Sequence, residues 1–470
     1  MHNHHELEES KMRRLLRANL IILLILPVIF AIQSYAAEPL KPDNLEIQRG
    51  QFIAEHGSFL SPAWKGETWE RLKATSKPLP DEVLNSKPVS QNDQALIRYG
   101  LHPAPFSNNN LPMGLRPAWT RDGRMKGLQI DCLLCHGGSI AGKSYVGLGN
   151  STLDMVTFLN AMTRAENRPP PILTFNLNSS RGTVNAGQLS IVLFSLRNTD
   201  LSFVTVPLKL ESNLPEQDVP AWWNIARKST IYIDGRTSGE SSRSIMQFYL
   251  PELTEDQFAS YEPAFKDLLA YIRDLKPPKY PFPIDRAKAD EGQQIFEKTC
   301  SKCHGTYGEN SSYPDQVIDL SVIGTDPARA KGVSDKSIDH YNATWFGKVH
   351  AVDKTVPLGY QAPPLDGVWA TAPYLHNGSV PTVYDLLNSS GRPARFLRHA
   401  TTGVENFDPL HLGWKVRRLK PEDPVKFKDS FQTRSIFDNS RYGLGNQGHT
   451  FGDRLTEAQR FQVIEYLKTL

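Results

Sequence analysis

The residue types that this sequence lacks restrict its function more than its bulk composition does. Its 470 residues include only 4 cysteines, too few to indicate the disulfide framework of a small secreted domain. The formal net charge of +3 is too small to indicate binding to nucleic acid or to an anionic membrane surface. No methionine follows Met246, and no histidine lies between His136 and His304. These two gaps limit which side chains can bind a metal in each half of the chain.

The chain also lacks an apolar run of transmembrane length near its N-terminus. The run from Leu20 to Ile32 has about 13 residues, short of the ~20 that a membrane-spanning helix needs. Basic residues precede this run and the small residues Ser34 and Ala36 follow it, which is typical of a secretory signal peptide. We therefore predict a signal peptide at residues 1–37 and no membrane span after its cleavage.

The four cysteines form one pattern that occurs twice. The first Cys-X-X-Cys-His motif consists of Cys132, Cys135 and His136, and the second consists of Cys300, Cys303 and His304. Two thiols at this spacing add to the two vinyl groups of a porphyrin, and the adjacent imidazole binds its iron. Disulfides or a four-cysteine zinc site would not explain the histidine after each pair. The sequence predicts two covalently bound haem c groups, and therefore export to a Gram-negative periplasm or secretion.

The helical pattern around the motifs predicts two similar units. An amphipathic helix at residues 254–275 precedes a proline-rich linker, and a helix at 287–296 leads into Cys300. The last helix, at residues 456–470, carries Tyr466 much as the first carries Tyr271, which we interpret as a diverged repeat. We predict a mainly α fold of two tandem cytochrome-c-like haem domains with long loops and a few short strands. The predicted boundaries are 38–276 for the N-terminal domain, 277–286 for the linker and 287–470 for the C-terminal domain.

Two stretches between the haem motifs are less regular. Residues 189–193 and 203–206 are predicted to form short strands. The tandem tryptophans Trp222 and Trp223 follow a proline at 220. Buried tryptophans are usually core residues, but a large ring with an N–H group also suits a position between two haems or beside a substrate pocket.

The absent residue types reduce the number of candidates for the sixth, distal ligand of each haem iron. The second haem has no later methionine, so its sixth ligand is expected to be His449 or His376, each of which lies in a glycine-containing loop. The other candidates for that position are His340, His350, His399, His411 and Tyr374. For the first haem, no distal histidine follows His136 within its unit, and the methionines downstream of it are Met155, Met162 and Met246. We favour a five-coordinate first haem, which would make it the candidate active site.

Residues 361–387, QAPPLDGVWATAPYLHNGSVPTVYDLL, resemble the signature of bacterial di-haem cytochrome c peroxidases, MauG-type enzymes and their rubber oxygenase branch. With the two haem motifs, the resemblance covers roughly residues 110–470. It implies that peroxide is reduced at the N-terminal haem and that electrons enter through the C-terminal haem. A small electron-donor protein, a cytochrome or a cupredoxin, is then the expected partner, and a calcium ion between the units is a further option.

The sequence departs from the standard peroxidases, in which a methionine usually binds the C-terminal haem. A late histidine in the rubber oxygenase branch is similar to His449, and a proline–aromatic stretch there is similar to residues 220–223. The resemblance is therefore nearest to that branch. The expected activity is peroxide reduction, and the alternatives are a haem-dependent oxygenase that uses dioxygen on a hydrophobic substrate, or a di-haem electron carrier.

Peroxide chemistry would also need an acid or base near the first haem. Because no distal histidine is available there, a carboxylate or an arginine would have to serve. The charged residues of the relevant region are Glu211, Glu216, Arg236, Glu240 and Arg243. Glu216 and Arg236, together with Trp222 and Trp223, are the predicted catalytic residues.

Overall fold

The computed structural model describes residues 44–79, 90–120, 122–171, 174–427 and 430–470. The predicted signal peptide lies outside these ranges. The fold mixes helix and strand, with 37% helix and 13% strand, so the expectation of a mainly α chain with few strands underestimated the strand content. The difference comes from many strands of only two to five residues, which are too short to leave a clear alternating pattern in the sequence.

The longer helices begin and end close to the predicted bounds. The helices are α1 (Leu45–His56), α2 (Thr68–Thr75), α3 (Gln91–Tyr99), α4 (Leu133–His136), α5 (Met155–Ala165), α6 (Ala186–Ser195), α7 (Glu255–Asp274), α8 (Arg286–Thr299), α9 (Ser301–His304), α10 (Leu320–Ile323), α11 (Ala328–Lys331), α12 (Asp335–Ala343), α13 (Val383–Leu386), α14 (Ser430–Arg434) and α15 (Glu457–Leu467). Capping boxes start α7 at Thr254 and α15 at Thr456, which is why the sequence located both helices well.

The strands pair locally in antiparallel hairpins and small sheets. They are β1 (Trp64–Lys65), β2 (Leu115–Trp119), β3 (Lys126–Ile130), β4 (Gly137–Ile140), β5 (Lys143–Val146), β6 (Thr183–Val184), β7 (Gln217–Asp218), β8 (Thr230–Ile231), β9 (Thr237–Ser238), β10 (Val317–Asp319), β11 (Gly359–Gln361), β12 (Arg395–Arg398), β13 (Phe407–Asp408), β14 (Gly413–Trp414), β15 (Val416–Arg418) and β16 (Ile436–Asp438). The three-stranded sheets have the orders β1-β3-β2 and β15-β12-β16. The first of them leads through β3 directly into Cys132.

Two helix crossings of the same kind organise the chain. Helix α1 packs on α7, and α8 packs on α15. Each crossing has a glycine at its closest point: a Cβ at Gly50 would lie 2.0 Å from the Asp267 carbonyl oxygen, and one at Gly292 would lie 1.9 Å from that of Gln462. In both halves, then, a helix before the haem motif crosses the last helix of that half.

One hydrophobic cluster contains residues of both halves. Trp223 and Ile140 belong to the same buried cluster as Trp369, Phe407 and Ile464. The predicted linker is extended but packed, because the Trp369 indole donates a hydrogen bond to the Pro278 carbonyl at 2.7 Å. The halves are therefore held against each other and do not behave as domains on a free tether.

The predicted strand at residues 189–193 is wrong, because these residues lie in α6. A continuous apolar run does not distinguish a strand from a buried helix. Here the Asn185 side chain caps the helix by accepting a hydrogen bond from the Gln188 N–H, and the polar Ser190 faces inward. No strand forms at residues 203–206 either, where Phe203 makes only an isolated bridge with Arg197.

Candidate haem sites

The first haem motif forms one short helical turn after β3. The Asp131 carboxylate accepts a hydrogen bond from the Leu133 N–H at 2.6 Å, which starts the turn, and the His136 N–H closes it on the Cys132 carbonyl at 2.9 Å. Cys132 and Cys135 are free thiols and are half-buried. Burial raises the pKa of the Cys132 thiol to about 11, which keeps the thiol protonated at neutral pH.

The His136 imidazole is oriented by one backbone contact. Its Nδ1 lies 3.1 Å from the Pro220 carbonyl oxygen, to which it donates, so the lone pair is left on Nε2. Burial lowers the pKa of His136 to about 4, which keeps the ring neutral. The ring still has accessible surface. A half-buried neutral imidazole with a free Nε2 is suited to bind iron as an axial ligand.

The second motif repeats this arrangement. The Nδ1 of His304 lies 2.8 Å from the Pro363 carbonyl oxygen, and burial lowers the pKa of His304. Cys300 and Cys303 are also free and half-buried. The same donor set therefore occurs twice, with the same backbone acceptor type. We conclude that the residues of both motifs fit covalently attached haem.

His449 lies opposite His304. Their ring centroids are 6.2 Å apart, a distance that two nitrogen–metal bonds of about 2 Å plus the depths of the rings would fill. The His449 backbone has the left-handed φ of 47°, which is uncommon outside glycine and is retained where the surroundings enforce it. Its N–H donates to the Ile323 carbonyl at 2.7 Å, and Arg392 donates to its carbonyl at 3.1 Å.

The competing candidate, His376, has different surroundings. It is stacked on Tyr360 at 4.2 Å, and its carbonyl accepts a hydrogen bond from the Asp218 N–H at 3.1 Å. Burial lowers the pKa of His376 to about 3, and its Nε2 has no hydrogen-bond partner among the described residues. The ring that faces His304 is thus that of His449, and the ring stacked on His376 is that of Tyr360.

The tandem tryptophans lie on the proximal side of the first motif. The Trp222 ring stacks on the His136 imidazole with a centroid distance of 4.9 Å and an interplanar angle of 27°. The Trp223 indole N–H donates to the Asp366 carbonyl at 2.8 Å. One ring therefore contacts the first axial histidine, and the other contacts a loop of the second half.

The two predicted acid/base residues differ in their surroundings. The buried Glu216 carboxylate accepts hydrogen bonds from the Ser179 N–H at 2.7 Å, from the hydroxyl of Thr183 at 2.5 Å and from the Ser179 hydroxyl. Its oxygens thus hold the loop before β6. Arg236 is half-buried, and its Nε has no partner among the described residues.

One family model matches a short part of the chain. A model of the family "RoxA-like, cytochrome c-like" matches residues 359–397. The chain carries a cytochrome c-like domain. The matched residues include Pro363, which orients His304, and Arg392, which holds the His449 loop. The match therefore falls on both sides of the second site.

Two curated relatives come from Sinorhizobium fredii. The uncharacterized protein y4iM is 29% identical over 54% of this chain and 64% of its own length. The uncharacterized protein y4iJ is 30% identical over 46% of this chain and 44% of its own length. The chain thus spans less than two thirds of the length of either relative. A solved structure of hydrazine synthase from Kuenenia stuttgartiensis, pressurized with xenon, matches 64% of this chain and 98% of its own with 14% identity and a TM-score of 0.23.

The described ranges contain neither a membrane-spanning helix nor a cluster of metal-binding side chains. No helix in them combines the length and apolarity needed to cross a bilayer. They also contain no group of three or more His, Cys, Asp and Glu side chains suited to a metal ion.

The proline carbonyls that orient the histidines were not predicted from the sequence. They lie 84 and 59 residues after their histidines. The available signal was a proline in each of the two aromatic-containing stretches, Pro220 before Trp222 and Pro363 before Trp369. That signal shows no partner until the chain is folded, because a carbonyl acceptor is present at every residue.

Proposed function

We propose that the chain is a di-haem c-type oxidoreductase built from two tandem cytochrome-c-like units. The observation that carries this proposal is the repeated proximal arrangement, in which His136 and His304 each donate from Nδ1 to a proline carbonyl at 3.1 Å and 2.8 Å. The glycine-centred crossings of α1 with α7 and of α8 with α15 support two units. The bound haems would supply redox-active iron, which the side chains themselves lack.

In this proposal the two sites are unequal. His304 and His449 would bind the second haem from both sides, so that site transfers electrons. In the described part of the chain, the aromatic ring that contacts His136 is that of Trp222, on the proximal side. We propose that the first haem keeps an accessible distal side and reduces hydrogen peroxide. Electrons would enter through the second haem from a small cytochrome or cupredoxin.

The protein groups around the first haem would then have separate roles. Trp222 would hold the His136 ring in its orientation by stacking on it. Glu216 would be structural, since its oxygens are already hydrogen-bonded to Ser179 and Thr183. Arg236, with an unpartnered Nε, remains the proposed polar group for peroxide.

The second candidate is a haem-dependent oxygenase that acts on a hydrophobic substrate. Two observations favour it: the match to the RoxA-like family, and the engagement of Glu216 in structural hydrogen bonds. An active site without a free acid suits dioxygen better than peroxide heterolysis. Dioxygen would be the oxidant in this case.

The functions can be separated on the purified holoprotein. A pyridine haemochrome assay should find two haem c groups per chain. Electron paramagnetic resonance with carbon monoxide titration should find one haem that binds carbon monoxide and one low-spin haem that does not. Peroxide turnover supports the first candidate, and a stable dioxygen adduct without peroxide turnover supports the second. Two low-spin haems inert to carbon monoxide would leave only an electron carrier.

The ligand assignment has its own test. His449→Ala should convert the second haem from low spin to a high-spin or different ligand state, because it removes the ring 6.2 Å from His304. His376→Ala is the matched control and should leave the spin state unchanged. An unchanged spectrum in His449→Ala would exclude this ligand.

Export is part of the proposal, because covalent haem attachment in bacteria takes place outside the cytoplasm. Cell fractionation of a Gram-negative host should place the haem-stained protein in the periplasm or the medium. Cleavage near residue 37 should appear in the N-terminal sequence of the mature protein. Haem-stained protein in the cytoplasm would contradict the predicted signal.

A further inference from the structure

One short segment contacts both His136 and the loop that orients His304. Residues 220–227, which we call the inter-haem segment, contain Pro220 and the 3-10 helix Trp222–Arg227. On the side of the first motif, its Pro220 carbonyl orients His136 and its Trp222 ring stacks on that imidazole. The Trp222 N–H also donates to the Gly147 carbonyl, and the Gly147 N–H donates to the His136 carbonyl, both at 2.8 Å.

On the other side, the segment contacts the loop that orients His304. The Trp223 indole donates to the carbonyl of Asp366, three residues after Pro363. Gly367 has a φ of 64°, and a Cβ there would lie 2.5 Å from Pro277 and 3.3 Å from the Trp223 Nε1. A glycine is therefore required for the loop to approach Trp223 this closely.

Arg227 ends the segment and makes most of its contacts with the second half. Its Nη1 lies 3.1 Å from an Asp366 carboxylate oxygen. Its Nη2 donates to the carbonyls of Thr306 and Ser312, each at 3.0 Å. The guanidinium carbon lies 4.7 Å from the centroid of the Tyr307 ring, within the range of a cation–π contact.

Tyr307 connects this guanidinium to the backbone of the second motif. Its hydroxyl donates to the His304 carbonyl at 3.0 Å and accepts from the Leu365 N–H at 2.7 Å. Arg227 thus holds the turn after His304 and the turn after Pro363 at the same time. The ion pair is mostly shielded from water, with side-chain exposures of 19% for Arg227 and 29% for Asp366, so its charges are weakly screened.

We propose that Arg227 is a positioning residue that fixes the proximal loops of the second haem against the segment that orients His136, and that its charge sets the midpoint potential of the second haem. The proposal rests on the di-haem function above. A nearby cation disfavours ferric relative to ferrous haem, because oxidation adds one positive charge. A nearby carboxylate has the opposite effect.

Spectroelectrochemical titration of the holoprotein tests this. Arg227→Gln should lower the midpoint potential of the second haem more than that of the first, and Arg227→Lys should largely restore it. Asp366→Asn should raise it.

Arg243→Gln is the matched control. Arg243 binds Glu262 at 3.1 Å, donates to the Trp345 carbonyl at 2.7 Å and stacks on Trp345 at 3.9 Å. Among the described residues, these contacts lie outside both histidine loops. This variant should leave the second potential unchanged.

Arg227→Gln and Asp366→Asn both break the same ion pair. If the loss of this contact merely loosened the loops, both variants would shift the midpoint potential of the second haem in the same direction, so opposite shifts indicate an effect of charge. Shifts of the same sign in Arg227→Gln and Asp366→Asn, or an effect no larger than that of Arg243→Gln, would overturn the proposal. The haem count separates this outcome from failure of the di-haem function. One haem per chain contradicts the function, whereas two haems with unchanged potentials contradict only the role of Arg227.

Discussion

The helix crossing at Gly292 makes a quantitative prediction. Helix α8 approaches α15 so closely that an alanine Cβ would lie 1.9 Å from the Gln462 carbonyl oxygen and 3.0 Å from the Val463 nitrogen. The nearest of these neighbours is backbone, which cannot rotate away as a side chain can. The Gly292→Ala variant must therefore move one helix relative to the other.

The cost follows from the displacement. An ordinary contact needs 3.4 Å, so the helices must separate by about 1.5 Å. Overpacking of this kind typically costs ~1–3 kcal/mol, and the rigid backbone contact places it at the upper end. The higher helix propensity of alanine returns about 1 kcal/mol. We expect a net loss of about 2 kcal/mol in the free energy of unfolding of the protein.

Urea unfolding followed by far-ultraviolet circular dichroism measures this loss, and the visible spectrum reports which haem changes. Gly66→Ala is the matched control, since a Cβ there meets nothing within 4 Å. If Gly292→Ala were as stable as wild type or more so, the close crossing would be refuted.

The equivalent variant in the first half tests the tandem arrangement. A Cβ at Gly50 would lie 2.0 Å from the Asp267 carbonyl oxygen and 2.8 Å from the Tyr271 Cβ. If the proposed di-haem arrangement is right, Gly50→Ala should perturb the spectrum of the haem at His136, and Gly292→Ala that of the haem at His304. If both variants changed the spectrum of the same haem, two separate units would be excluded.

Two further predictions concern buried polar groups. Burial lowers the pKa of His102 to about 4 from 6.5. The unfolded chain then binds more protons between these values, so stability is lost as pH falls, by about 2 kcal/mol from pH 7 to pH 5. His102→Gln should flatten that dependence in urea titrations, and an unaltered slope would contradict this assignment. Arg434 binds the buried Asp154 at 2.6 Å to 2.9 Å, and Arg434→Met should cost about 3 kcal/mol in urea unfolding. A loss below about 1 kcal/mol would mean that Arg181, whose Nη1 lies 4.0 Å from the Asp154 carboxylate, replaces Arg434 as its ion-pair partner.

Features that depend on neighbouring residues were predictable. The two haem motifs need only five consecutive residues each, and the capping boxes at Thr254 and Thr456 mark their helices within one turn. The strand predicted at 189–193 failed because an apolar run carries no periodicity, and the cap at Asn185 was not recognised. The N-cap of α5, Asp154, whose side chain accepts from the Thr157 N–H at 3.3 Å, is likewise a local feature.

The preference for His449 over His376 came from loop composition and from a resemblance, and the sequence alone left both open. In the structure the His449 ring lies 6.2 Å from the His304 ring, whereas the His376 ring is stacked on Tyr360. His304 and His449 meet because the His449 N–H pairs with Ile323 and Arg392 holds its carbonyl. These contacts join segments far apart in the chain, so no local pattern could place the ring.

The sequence by itself determined the cofactor chemistry, because thioether attachment and axial ligation require cysteines and a histidine at fixed local spacing. It also restricted the distal ligands through the absence of methionine after Met246. Only the tertiary structure decided what surrounds those ligands. The carbonyls of Pro220 and Pro363 and the guanidinium of Arg227 act through their positions, and such positions result from packing between remote segments of the folded chain.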